Sequence, residues 1–521
     1  MAQDRKGLAA STYSKLEADR EPYIKMGVEC AELTIPSLFP KNPDTLVSPP
    51  TPYQSVGSRG VNNIASKMML ACFPPNTSVF RLKIEDEVLA ELDQRPNIKT
   101  KVEQGLAGVE RRVTSELETQ ALHPAAFEVF KHLIVVGNTL VYAPDEGPIR
   151  SYSLHNYVVR RDYTGNPLEI VLREKIAVVA LPLAIQDSLN ARLRSGEKAK
   201  DEVTIFTHVR RLKDRWEAYQ EVAGERVPGT YGTYPLGKCP WIPLRLIKQD
   251  GRNYGRSYVD EYKGDLLSLE GLSQALLEGA VAAAKVLFLV NPNGTTEKQD
   301  LEKSQNGAFV DGNVSDVNAL QLQKYNDFRV ALEQANTITE RLSFAFLLNS
   351  AVQRRGERVT AEEIRYVARE LEDSLGGMYS LLAQELQMPL VARTMYRLQK
   401  QKKLPAFPKE AVNPVIITGM EALGRGNDLA KLELAMSKVA PLGPQEIAKR
   451  LNVSDYFDRV FTACGVDTQG LIKSDEEVRQ QEERDRMQMM IAQGIPQAVQ
   501  AGGKLIQQGM QPNGESSTTQ G

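Results

Sequence analysis

Apolar residues recur at helical spacing from about Ser11 to Leu33, at Leu16, Tyr23, Met26, Cys30 and Leu33. Ser58–Ala71 (SRGVNNIASKMMLA), Asn97–Gln120 and Ala125–Val136 repeat that pattern, the first of them stopped by Phe73-Pro74-Pro75. From Thr139 the period drops to two, in TLVYAP, IRSYSL, NYVVRRD, LEIVLREKIAV, VTIFTHVRRL, WEAYQEV and WIPLRLIK. A polar link, Ser195–Asp201, separates two of these runs. Residues 1 to about 250 therefore read as α+β, with a mostly antiparallel sheet and flanking helices.

The helical period then returns. Tyr258–Lys285 can form one helix about 40 Å long, and small residues from Gly279 to Ala284 let a neighbouring helix come close. A turn-rich stretch, NPNGTTEKQD, and short strands in Gly307–Gln323 lead to a second helix from about Phe328 to Leu348. The pattern predicts a helix–small β module–helix hairpin. A loop with QRRGER follows, and then Thr360-Ala-Glu-Glu363 forms a capping box. It opens an apolar stripe from Ile364 to Leu382, with a weak point at Gly376-Gly377. A basic run, ARTMYRLQKQKKL, closes this part. Residues from about Gly419 to Val478 read as helical, and Ser474–Glu477 caps a last charged helix in which Met487–Met490 form a packing face. The tail from Gly494 has too little apolar content to pack.

Composition narrows the functions open to such a chain. Hydrophobic residues make up 42% and charged residues 25%, as in ordinary soluble proteins. The net charge of −2 supplies no global basic field, so any contact with nucleic acid must come from local patches. The N-terminus lacks an apolar signal-peptide core. The longest apolar run, Gly279–Val290, is broken by Lys285 and is shorter than the ~20 residues of a membrane span. Four scattered cysteines without a C-x-x-C fit a reducing compartment, and the chain is expected in the cytosol. There is no phosphate-binding loop, dinucleotide fingerprint, zinc-protease motif or nucleophile elbow, and the four histidines stand singly. No enzymatic activity, cofactor or metal is expected.

Arg354, Arg355 and Arg358, with Gly356 among them, are the most concentrated charge. They are either a solvated connector, with Arg365 and Arg369 supported by carboxylates three or four positions away, or a surface that faces a polyanion. Arginine matches phosphate geometry, Gly356 lets the loop pivot, and repetition around a closed ring would make a cationic collar. Lys285 and Lys303 are weaker candidates of the same kind, against the reading that they snorkel at a subunit boundary.

Three strings resemble the portal, or head-to-tail connector, proteins of short-tailed bacteriophages of the Autographivirus type. They are SVGSRGVNNIASKMMLACFP (55–74), YGRSYVDEYKGDLLSLEGL (254–272) and RLSFAFLLNSAVQRRGERVTAEEIRYVARELEDSLGG (341–377). The resemblance runs from about Lys6 to about Gly426. It implies a mainly helical α+β portal fold in a dodecameric ring at one capsid vertex of the virion, assembled in the host cytoplasm. Double-stranded DNA would be packaged and ejected through the channel. By the same resemblance 1–250 would be the wing, 251–290 and 325–348 the stem helices, and 291–324 the clip. Residues 349–360 would be the tunnel loop, 361–418 a long wing helix and its return, 419–493 the crown and 494–521 a disordered tail. Arg354, Arg355, Gly356, Arg358 and Arg365 would line the channel. The implied partners are the terminase large subunit, which hydrolyses the ATP, tail adaptor proteins, major capsid and scaffolding proteins, and internal core proteins, with no membrane. A ring-forming scaffold without a DNA channel is the alternative.

Overall fold

The computed structural model describes residues 7–44, 49–74, 80–83, 96–187, 201–283, 287–320, 325–348, 377–404 and 415–417. It also describes single residues between 366 and 373 and, beyond 431, residues 432, 434–443, 447, 451, 456–457, 460, 480–481 and 483–488. Two compact units result, residues 1–424 and 425–521. In the second unit most described residues are helical, with a 3-10 turn at Ala440–Leu442; Gly443 and Leu451 are not.

The first unit opens with helices α1 (Leu8–Glu32) and α2 (Val56–Cys72) and a short strand β1 (Arg81–Lys83). Helices α3 (Pro96–Thr119) and α4 (Leu122–Val136) follow. The chain leaves α4 through Gly137, whose φ of +82° closes the helix and whose missing side chain admits the backbone of Arg256. Strands β2 (Asn138–Tyr142), β3 (Arg150–Tyr152), β4 (Tyr157–Arg161), β5 (Pro167–Ala177), β6 (Glu202–Arg211), β7 (Arg215–Val222), β8 (Glu225–Arg226), β9 (Gly232–Pro235) and β10 (Trp241–Arg245) build two sheets. One has the order β10-β2-β3. The other runs β4-β5-β6-β7-β8, with β9 also on β7, and every pairing is antiparallel.

The unbroken apolar run in β4 has a simple cause. Tyr157 and Val159 point into the main core, while Val158 and its cross-strand partner Val171 point the other way, under Ala9 and Tyr13 of α1. A sheet covered on both faces needs apolar residues at every position. Buried Arg20 fastens α1 there. Its Nη1 donates to the carbonyls of Leu154, His155 and Tyr157 at 3.0–3.1 Å. The buried polar pairs of the sheet are matched as well. His208 bonds Glu169 at 2.7 Å and the Tyr219 hydroxyl at 2.9 Å. The His208 bond, helped by Arg160 and Arg210, holds the Glu169 carboxyl below its ordinary range despite burial.

Next comes the hairpin: α5 (Lys263–Ala283), β11 (Leu287–Val290), α6 (Lys298–Lys303), β12 (Val317–Leu320) and α7 (Tyr325–Ala345). β11 and β12 pair antiparallel. Gly279 lies so close to Phe328 that a Cβ would stand 2.2 Å from its ring, which is the close approach expected of the small residues. The expected single helix from Tyr258 opens instead with a 3-10 turn, Val259–Tyr262, and the Ser257 hydroxyl accepts the Asp260 amide at its start. Two expectations for the β module also change. The TTEKQD half of the turn-rich stretch runs into α6, and Ala308–Asp311 forms no strand. The module is tied by buried Asp316, which accepts from the amides of Thr295 and Thr296 and the Thr296 hydroxyl at 2.9–3.3 Å.

Beyond the loop, Gly377 at φ +84° interrupts the stripe where the paired glycines marked it weak. Helix α8 (Met378–Leu382) then passes through a π turn (Ala383–Gln387) into α9 (Met388–Lys400). Strand β13 (Val415–Ile417) pairs antiparallel with β1. Two buried arginines pin α9 to the body, Arg393 to Asp145 at 2.6 Å and Arg397 to Glu116 at 2.7 Å. Arg245 of β10 reaches Glu385 in the π turn at 3.3 Å.

Candidate functional site

Arg354, Arg355, Gly356, Arg358 and Arg365 lie outside the described residues, as do Lys285 and both capping boxes. The mounting of residues 349–365 is described on both sides, and α2 supplies it. Its Gly60, Asn63 and Lys67, spaced three and four apart, form one face.

Gly60 seats Phe346, the fully buried residue just past α7; a Cβ on Gly60 would stand 2.4 Å from Phe346 Cγ. Asn63 Nδ2 donates to the carbonyls of Phe346 and Leu347 at 3.0 and 2.9 Å, satisfying acceptors that a helix end leaves open. Leu347 takes the left-handed conformation, φ +55°, and the Leu348 amide reaches back to the Ser343 carbonyl at 2.8 Å. That ending favours glycine; here a leucine is kept and its side chain is buried. Lys67, a cation on the apolar face of α2, pairs with Glu370 at 2.7 Å on the far side of the loop. One helix face thus holds the chain before residue 349 and after residue 365.

The base of the hairpin completes the frame. Tyr258, Tyr262 and Phe346 pack in tilted and edge-to-face pairs with ring centroids 5.2–5.9 Å apart. The Tyr258 hydroxyl donates to the Ala345 carbonyl at 2.8 Å, and burial pushes its pKa well up, so it remains a donor. Across the hairpin Arg341 pairs with Asp265 at 2.7 Å. Glu270 of α5 accepts the amides of Tyr53 and Gln54 at 2.8 and 3.2 Å, fixing the approach to α2. The arrangement anchors the chain on either side of residues 349–365, and among the described residues it offers no nucleophile paired with a base.

Lys303 ends α6 in solvent, with no ion-pair partner among the described residues. Met487, expected on a packing face, is 65% exposed in a helix whose other described residues, 480–481, 483–486 and 488, are charged residues or glutamines. Among the described residues no group of three His, Cys, Asp or Glu side chains could hold a metal. Nor is any described helix long and apolar enough to cross a membrane. Sequence reasoning missed Gly60, Asn63 and Lys67, although they stand in one of the strings quoted above. The available signal was Lys67: a charge on an apolar helical stripe requires a distant partner.

Residues 6–472 match the family model described as bacteriophage head to tail connecting protein. The portal protein of Escherichia phage T7 is 46% identical over 507 residues, 95% of this chain and 94% of that one. The portal protein of Enterobacteria phage T3 is 45% identical, over 95% and 93% of the two chains. A chain from the virion of a native gene transfer agent particle aligns over 79% of this chain and 90% of its own, at 11% identity and a TM-score of 0.34, too low to support an argument. With nearly the whole chain matched, the chain belongs to the bacteriophage head-to-tail connecting, or portal, proteins.

Proposed function

We propose that copies of this chain close into a dodecameric ring at the capsid vertex, and that double-stranded DNA enters and leaves the head through its centre. The observation that carries this reading is the hairpin. α5 exposes Leu267, Leu277 and Val281, and α7 exposes Val330, Leu332 and Phe344, each more than half accessible. Large exposed apolar side chains on both helices of one hairpin call for a partner, and adjacent copies in a ring supply one for every hairpin. In this reading α5 and α7 are the stem, the β11–β12 module with α6 is the clip, and residues 349–360 are the tunnel loop. The body before α5, together with α8 and α9, is the wing, and 419–493 the crown.

The role is structural. Packaging draws its energy from a terminase docked at the clip end, which is later replaced by tail adaptors. Phe309 and Val314, both almost fully exposed in the clip, suit such exchanging contacts. Capsid, scaffolding and internal core proteins meet the wing and crown. Arg354, Arg355, Arg358 and Arg365 touch DNA phosphates in the channel and help to retain packaged DNA. α2 anchors the chain on either side of that loop.

Electron microscopy of the purified protein is the test. The expected result is a ring with an axial hole wide enough for duplex DNA; monomers at high concentration overturn the reading. In assembled rings, replacing the three loop arginines by alanine should leave the ring intact and impair packaging or retention. Normal packaging and retention in that variant would remove the arginines from the mechanism.

A further inference from the structure

Away from the loop, α3 and the end of α9 enclose a solvent-open cleft of about 700 Å³. Arg111 and Arg112 face it from α3, and Lys402 and Lys403 from the turn after α9. All four are exposed, and none has an ion-pair partner among the described residues. The acid in the lining, Glu116, is already taken by buried Arg397 at 2.7 Å. Arg112 Nη1 donates to the Lys403 carbonyl at 2.6 Å, so the two lips are tied together. On the same face of α3, Gly108 has no heavy atom within 4 Å of where a Cβ would stand, which leaves the cleft open.

Lys402 is the informative residue. Its φ is +58°, at a helix end where glycine is the default and other residues are strained. Leu347, in the same conformation, buries its side chain in return; Lys402 is exposed and gains no burial. A cation is kept on this lip at a cost in stability, beside three other cations that repel it.

We propose that this cleft is a second contact for double-stranded DNA, seating backbone phosphates outside residues 349–365. Duplex DNA carries one charge per ~1.7 Å of its axis, dense enough to engage four cations gathered in one cleft. Arginine forks and lysine ammonium groups are the side chains that bind phosphate. The choice of DNA as the polyanion rests on the portal reading; the unpaired cationic cleft does not.

The test uses full-length protein and a fluorescein-labelled short DNA duplex, with anisotropy measured across a salt series. Arg111→Gln with Lys402→Gly and Lys403→Gln is compared with the native chain and with Arg354→Ala, Arg355→Ala and Arg358→Ala. The cleft variant should lower the slope of log affinity against log salt by about 2–3, at about 0.9 per lost phosphate contact, and weaken low-salt binding by about tenfold or more. Its thermal midpoint should hold or rise, because glycine relieves the strain at 402. Native affinity and slope in a folded cleft variant overturn the proposal. Competition by polyglutamate equal to that by unlabelled duplex at matched charge overturns the assignment to DNA. If the triple variant does not fold, Lys403→Gln alone should lower the slope by about one; an unchanged slope overturns the proposal. Rings seen by microscopy with an unchanged slope defeat this inference and leave the portal reading standing; a lowered slope without rings does the reverse.

Discussion

Helix α4 buries ten of its fifteen residues, whereas α5, six residues longer, buries only Leu266 and Leu269. The contrast extends to the regions around them. In the body, buried cations have partners: Arg20, Arg393 and Arg397 all meet carbonyls or carboxylates. In the hairpin, burial fades along the helices. Ala335, Ile338, Leu342 and Phe346 face inward near the body, while Val330 and Leu332 stand in solvent. An isolated helix pair gains little from such a surface. The body holds itself together, and the hairpin is built to be completed by its neighbours.

The largest expected effect therefore lies where the isolated chain looks least organised. Changing Leu332 and Phe344 together to glutamate should abolish ring assembly, seen as a shift to monomer in sedimentation, with the body's thermal transition kept. Rings persisting in that variant would mean that the hairpin faces are not the interface.

Acid should separate the regions in the opposite sense, because all four histidines precede α5. Burial in the core lowers the His132 pKa to about 4, with help from His155, and burial together with Arg20 lowers that of His155 to about 4. Each folded pKa lies below its unfolded value near 6.5, so the unfolded chain takes up protons first as the pH falls. Stability is fully present above about pH 6.5 and declines toward pH 4, by on the order of 3 kcal/mol for His132 alone. Denaturant midpoints across this range check it, and His132→Leu should flatten the slope.

The junction between the regions gives smaller effects. Gly60→Ala forces Phe346 off α2 and should cost about 2 kcal/mol, read as a lowered denaturation midpoint. Asn63→Ala leaves two carbonyls at the α7 end without their donor and should cost about 1 kcal/mol. If the loop depends on its mounting, Asn63→Ala should also impair DNA retention in assembled rings by more than its small stability loss explains. Retention equal to the native ring would confine Asn63 to helix capping.

The elements of this chain were legible because each follows from local periodicity. The strand runs from TLVYAP to WIPLRLIK became β2 to β7 and β10, and the paired glycines at 376–377 marked the break that Gly377 makes. Strand β13 was not legible, since it is defined by β1 at the other end of the unit, and β9, Gly232–Pro235, is too short to show an alternation. The loop arginines stood out as a charge cluster, and resemblance gave them a role; their structure lies outside the described residues.

By itself the sequence determined the α+β body, the antiparallel character of its strands, the hairpin and the family, while packing divided the one expected sheet into two. Spacing and turn chemistry act over a few residues and are written in the chain. Tertiary structure alone decided that Gly60, Asn63 and Lys67 would meet residues nearly three hundred positions away or more. It also brought Arg111 and Arg112 to Lys402 and Lys403. A donor, a cation or a missing side chain can serve many partners, and only the packing of distant elements fixes which one it receives.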